Sequence, residues 1–289
     1  MNYSAKLLLK LLGFFILVQL LGLVTGVVIV NDINTNPYVK EAFSVSVSSE
    51  DTANAIFFFI YMLFGTLVLL SFIKFVKNPI IFKFLEVFLI STSSSIIFYA
   101  VFRLLFYFGF DQSMGLAIIA GLVLGGLKFF YGQLKNTATI LSTAGVGVVF
   151  GVSLGVQPAV IFLLLLSVYD FFAVFITKHM VELATFMVKQ DLAFTVTSRV
   201  NVPSKTEYGK SEEKRVDLGG GDLLAPVLLE VSLLSFSPIA SAMVFIGAII
   251  SFSAFIFILY KEKNVYPALP PIVLGMFLFL SLGFLLRLY

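Results

Sequence analysis

The 289-residue chain has no cysteine, no tryptophan and one histidine, and only 12% of its residues are charged. The missing cysteines exclude disulfides, a thiol nucleophile and thiolate metal sites. His179 alone cannot form an HExxH zinc pair and leaves little room for a serine–histidine arrangement. Polar catalysis must therefore rest on carboxylates, lysines or hydroxyls, with no metal and no cofactor expected. The scarcity of charge excludes more. A soluble domain carries about 25% charged and about 45–50% apolar residues, whereas here 60% are hydrophobic and the mean hydropathy is +1.06. So little polar surface cannot coat a globule in water. The chain reads as an all-α polytopic membrane protein. Its net charge of +3 is no sign of a nucleic-acid partner, because the bases sit at the ends of apolar segments.

Nine apolar segments stand out: 11–30, 55–73, 84–102, 113–131, 137–156, 158–178, 219–236, 238–260 and 268–288. At about 20 residues per crossing of roughly 30 Å of hydrocarbon, they predict nine transmembrane helices. Lys6 and Lys10 ahead of the run from Leu11 to Val30 resemble a signal peptide. That run is longer than an h-region of about 7–15 residues, so a retained first span is expected. Spans one to six occupy 1–178, a cytoplasmic loop 179–218, and spans seven to nine 219–289, as one integrated membrane domain. Residues 31–54 read as an exposed loop. Within 179–218, His179–Asp191 is expected to be an amphipathic interfacial helix. Ser204–Asp217, rich in Lys, Glu and Ser, is expected to be mobile. With a cytoplasmic N-terminus, all of the 19 Lys and Arg residues except Lys40, Arg103 and Arg287 lie inside, as the positive-inside rule requires. This bias holds only for an odd number of spans, with the C-terminus extracytoplasmic.

Gly121/Gly125 and Gly151/Gly155 are four apart, a spacing that lets neighbouring helix backbones approach closely. The second pair also spells a GxSxG pattern around Ser153. That nucleophile motif requires a strand–turn–helix setting, which a membrane helix does not supply, so helix packing is the stronger reading.

Ionisable groups inside spans are costly and mark functional sites by default. Here they are Glu86, Asp170, Asp222 and Glu230. Glu86 follows Lys83 by three residues, and the spacing predicts an i,i+3 pair or a carboxylate reaching the interface. Asp111 falls in an outer loop. Asp170 precedes Lys178 by eight residues, about 12 Å along a helix, and Asp222 follows Arg215 by seven, about 10 Å. Their spans are consecutive and antiparallel, so both carboxylates reach one depth on the same side. Two facing carboxyls in a low-dielectric site share a proton. One can then take a proton from water while the other donates to a peptide carbonyl oxygen. Spacing alone leaves open two unrelated acids hydrogen-bonded to neighbouring helices. Gly219, Gly220 and Gly221 ahead of Asp222 permit close backbone approach. Pro267, Pro270 and Pro271 keep the start of the ninth span extended. Glu230, eight residues after Asp222 on nearly the same face, is expected to bond to a neighbouring helix rather than line a water path.

Tyr169-Asp170, Gly219-Gly220-Gly221-Asp222 and Pro267-Ala268-Leu269 resemble, in order and in span, the YD, GxGD and PAL motifs of the presenilin/signal peptide peptidase family. Those proteins are nine-span intramembrane aspartyl proteases, and size and compact loops are closest to the archaeal presenilin homologues. The resemblance implies that Asp170 and Asp222 are catalytic. Tyr169, Gly219, Gly220, Gly221, Pro267, Ala268 and Leu269 would shape the site and bind substrate. It also implies transmembrane-helix protein substrates with an outside N-terminus, in a prokaryotic cell membrane. Many relatives have leucine where Gly220 stands, so a looser start to the seventh span is expected. In the family, substrate is thought to unwind and pair as a strand near this start, for which Phe194–Val202 and Arg215–Leu218 are the β-prone candidates. Two other readings use the same acids: a prepilin-type GxGD peptidase, which leaves the Pro267 motif and nine spans unexplained, and a proton- or cation-coupled transporter or channel.

Overall fold

The computed structural model describes residues 3–44, 50–75, 79–177, 192–203, 211–259 and 266–289. The helix expected over His179–Asp191 lies outside them. In chain order the elements are α1 (Tyr3–Thr35), α2 (Pro37–Phe43), α3 (Ala53–Phe75), α4 (Pro79–Phe106), α5 (Phe110–Phe130), α6 (Lys135–Ser153), α7 (Val156–Phe175), β1 (Thr195–Pro203), β2 (Ser211–Gly219), α8 (Gly220–Leu234), α9 (Pro238–Leu259) and α10 (Leu269–Leu285). Each of the nine apolar segments falls on a helix. Seven of these, α1, α3 to α7 and α9, are long and apolar enough to cross a membrane. The other two, α8 with 15 residues and α10 with 17, are shorter.

Three boundaries differ from expectation, each because a polar group finds a partner. The first loop begins after Thr35 rather than at Asn31. Asp32 stays on α1, accepting from Arg103 Nη2 at 2.6 Å and from Tyr99 Oη at 2.7 Å. For the same reason α4 runs through Arg103 to Phe106, and Arg103 also donates to the Phe108 carbonyl at 2.7 Å. Asp111 lies in the first turn of α5, where the helix dipole favours an acid. Of the stretch expected to be mobile, residues 211–217 are strand. β2 pairs antiparallel with β1 in the register Thr195↔Gly219 to Pro203↔Ser211. The two β-prone stretches thus pair with each other, and their hairpin leads directly into α8.

α8 is the central helix: Ala225 to Leu233 is buried without interruption, and α8 packs against α1, α6, α7, α9 and α10. Its valines fit notches made by glycines on two neighbours. A Cβ at Gly22 of α1 or Gly147 of α6 would strike Val227, and one at Gly26 or Gly151 would strike Val231. Without a hydrophobic drive in lipid, such backbone approach is what holds helices together. Gly121 and Gly125 serve as the spacing predicts, meeting Ser91 and Val87 of α4. Gly155 does not, because α6 ends at Ser153 and Gly155 is the N-cap of α7, against the Glu50 carboxylate. The Ser153 hydroxyl donates to the Val149 carbonyl at 2.6 Å within its own helix. On the outside, Phe64, Phe88 and Phe257 are among many exposed large apolar side chains, a surface that suits lipid.

Gly145 of α6 presses on the Ser93 carbonyl of α4, whereas Gly126 has open space where a Cβ would sit. Gly145→Ala is expected to destabilise by about 1–3 kcal/mol through overpacking. Gly126→Ala should stabilise by about 0.5–1 kcal/mol through helix propensity. Thermal unfolding in detergent compares the two.

Candidate active site

α7 carries Asp170 to the face it shares with α8 and α10, where the residue is 5% exposed. Asp222 lies in the first turn of α8, partly buried. The two carboxylates lie within electrostatic reach of each other. Each also lies close to one backbone N–H, that of Leu269 for Asp170 and that of Gly219 for Asp222. Asp170 Oδ2 is buried and has no hydrogen-bond partner among the described residues. A buried orphan oxygen is costly in an apolar setting, and this one sits beside a second carboxyl.

Leu269 is aimed at Asp170 for a reason that can be read in the chain. It is the first residue of α10 and is followed by Pro270 and Pro271. The opening N–H groups of a helix lack internal acceptors, and prolines have none to offer. Ile272 N–H is taken by the Ala268 carbonyl at 3.4 Å. Leu269 therefore supplies the free donor of that helix end, together with the positive end of its dipole. Pro267, Ala268 and Leu269 are all buried.

The three glycines before Asp222 have three different reasons. A Cβ at Gly219 would stand 3.2 Å from Asp222 Oδ2. Gly220 donates its N–H to the Phe194 carbonyl at 2.9 Å, and a Cβ there would meet that oxygen at 3.1 Å and Thr143 Oγ1 at 3.4 Å. Gly221 is exposed with open space around it. The start of α8 is thus pinned at Gly220, contrary to the looser start expected. The small residue admits close contact with the hairpin rather than freedom.

Tyr169 lies within electrostatic reach of Asp170 and also reaches α3. It hydrogen-bonds with Thr66 and meets Phe59 edge-on with ring centroids 6.1 Å apart, tying α7 to α3 beside Asp170. Pro226, four residues after Asp222 and inside α8, escaped the sequence reading. It has no N–H for the Asp222 carbonyl, so the turn that carries the acid lacks one helical bond. A proline four residues beyond a membrane-embedded acid was the available signal.

The remaining acids part company with expectation. Glu86 does not pair with Lys83, which is exposed. Its Oε1 accepts from Lys128 of α5 and from the Ala193 N–H, because a helical neighbour on the lipid side is a poorer partner than a buried one across the helix pair. Glu230 is 0% exposed, and neither of its carboxylate oxygens has a partner among the described residues. Only its backbone carbonyl bonds to a neighbouring helix, accepting from Ser241 Oγ at 2.7 Å. Among the described residues no three metal-ligating side chains come together.

Chemically, two carboxyls lie within electrostatic reach of each other, and one carries a buried oxygen with no partner among the described residues. The pair can divide proton removal from water and proton donation to a carbonyl. The fit at Gly220 makes a sharp expectation. Gly220→Leu should push the hairpin from α8 and lower turnover by about tenfold or more, while Gly221→Ala leaves it within about twofold. Initial rates on one peptide substrate compare them.

No curated protein matches the sequence. Among solved structures, a presenilin family intramembrane aspartate protease crystallised in space group C222 superimposes with a TM-score of 0.68 at 23% identity, covering 96% of this chain and 99% of that one. A presenilin family intramembrane aspartate protease in space group P2 gives 0.63 at 24% identity, covering 93% and 96%. These likenesses establish a presenilin-type fold. The profile of the family described as signal-peptide peptidase, presenilin aspartyl protease matches residues 12–286. With almost its whole length matched, this multi-pass membrane chain belongs to the signal-peptide peptidase/presenilin family of intramembrane aspartyl proteases.

Proposed function

We propose that Asp170 and Asp222 are the catalytic pair with which this protease hydrolyses peptide bonds inside transmembrane helices. The observation that carries the reading is the orphan Oδ2 of Asp170, buried beside the Asp222 carboxylate. The pair shares one proton. The ionised member takes a proton from water, and the protonated member donates to the scissile carbonyl oxygen. The Leu269 N–H faces Asp170 and the Gly219 N–H faces Asp222, donors that favour the ionised form of either carboxyl. The dyad titrates as a unit, and base and acid are not assigned individually.

The nine helices cross as nine spans, with the N-terminus cytoplasmic and the C-terminus outside, in one membrane domain whose 179–218 loop faces the cytoplasm. Substrate spans then run with their N-termini outside and are cut near their cytoplasmic ends. The basic sidedness supports this orientation, and the size suits a prokaryotic cell membrane. The substrate must unwind to reach the dyad. The outer edge of β1 is already filled at Thr197, whose N–H and carbonyl bond to the Asn136 amide at 2.9 and 2.8 Å. The unwound substrate pairs along β2, which ends at the glycines before Asp222.

Incubating the purified protein with a single-span substrate and mapping product ends by mass spectrometry tests this. Asp170→Ala and Asp222→Ala should each lower cleavage by at least about 10³-fold while the protein stays folded. Full activity in either variant sinks the proposal.

A further inference from the structure

We propose that Glu86, remote in sequence from both aspartates, is a positioning residue for Asp222, acting through the hairpin rather than on the substrate. This rests on the reading of Asp222 as catalytic. Glu86 of α4 is 1% exposed and Lys128 of α5 is 6% exposed, so both are held away from lipid and water. Glu86 Oε1 also accepts the Ala193 N–H. The next residue, Phe194, offers its carbonyl to the Gly220 N–H at 2.9 Å. Gly220 is two residues from Asp222, whose carboxylate lies close to the Gly219 N–H. One short path of backbone and hydrogen bonds thus leads from the ion pair to the acid.

The anchor at its far end is rigid. Ala193 packs in a small apolar cluster with Ile90 of α4, Leu124 of α5 and Ala138 of α6. Those three helices are locked by glycine-to-backbone contacts at Gly121, Gly125 and Gly145. Other fixed points among the described residues of the hairpin are Asn136 on Thr197, the Ser198 hydroxyl on the Leu7 carbonyl at 3.1 Å, Thr139 Oγ1 on the Thr195 carbonyl at 3.5 Å and Lys10 Nζ on the Arg199 carbonyl at 3.4 Å. The residues entering β1, and through the Phe194 carbonyl the start of α8, are therefore registered against the α4–α6 platform by a carboxylate that accepts a backbone N–H. Lys128, in ion-pair contact with that carboxylate, holds it in place. A neutral acceptor of the same shape should serve, provided the lysine charge is removed with it, since half of a buried ion pair is far worse than none.

Two double variants separate this role from general stability. Glu86→Gln with Lys128→Met keeps an acceptor for Ala193 N–H. Glu86→Leu with Lys128→Met removes it, and both replace the ion pair with side chains that pack. Position is read without catalysis by spin labels at Val216→Cys and Ile176→Cys, exposed sites on the hairpin and at the end of α7, in a chain free of native cysteine. The Gln/Met variant should keep the wild-type distance distribution and kcat within about threefold. The Leu/Met variant should broaden or shift the distribution and lower kcat by about tenfold or more, with KM little changed. Melting temperatures in detergent check that both fold. Matching distributions and kcat in the two variants would overturn the proposal, as would failure of the Gln/Met variant to keep the wild-type distances. If the wild type cleaves no substrate, the protease reading fails while the label distances still decide whether Glu86 places the hairpin.

Discussion

Inside a bilayer no water is present to satisfy a polar group, and that constraint orders this molecule. A buried charge or amide left without a protein partner is costly, and the partners decide which elements touch. Asp32 draws in Arg103 and Tyr99 and so joins α1 to α4. Glu86 takes Lys128 and the Ala193 N–H and so joins the α4–α5 pair to the strand segment. Asn136 supplies both halves of a strand bond to Thr197. Among the described residues a few buried atoms depart from this, among them one oxygen of Asp170 and both of Glu230.

The same constraint explains why the site is built largely from backbone. Leu269 and Gly219 each bring an N–H close to a carboxylate, and Gly220 ties the helix start to the hairpin. Such groups are fixed by the path of the chain, so they face the acids without side-chain rearrangement. Prolines act by omission. Pro270 and Pro271 leave Leu269 as the donor, and Pro226 withholds a helical bond from the turn that bears Asp222. Packing around α8 then makes these positions stiff, since its valines sit in glycine notches on two sides and cannot shift without collision.

Much of this was legible in the residues. Apolar runs long enough to span a bilayer mark the helices, and helical rise alone puts Asp170 and Asp222 at one depth. The glycine and proline punctuation also stands out, although Gly220 misled: its small size suggested freedom, while the fold uses it for contact. The β-prone segments were visible as such, but not that they pair with each other. Strand pairing depends on which chain lies alongside, and local pattern carries no such information.

What the sequence by itself determined is therefore the solvent, the helices and the pair of acids, because hydropathy and helical rise are local properties. Only the tertiary structure decided the partners. It took Glu86 from Lys83 and gave it to Lys128, kept Asp32 and Arg103 in one ion pair, packed Tyr169 against α3, and left Glu230 without a side-chain bond among the described residues. Partnering at a distance follows from which helix faces meet. That is set by the fit of valines into glycine notches and by the cost of an unsatisfied group in lipid, neither of which any single stretch of sequence contains.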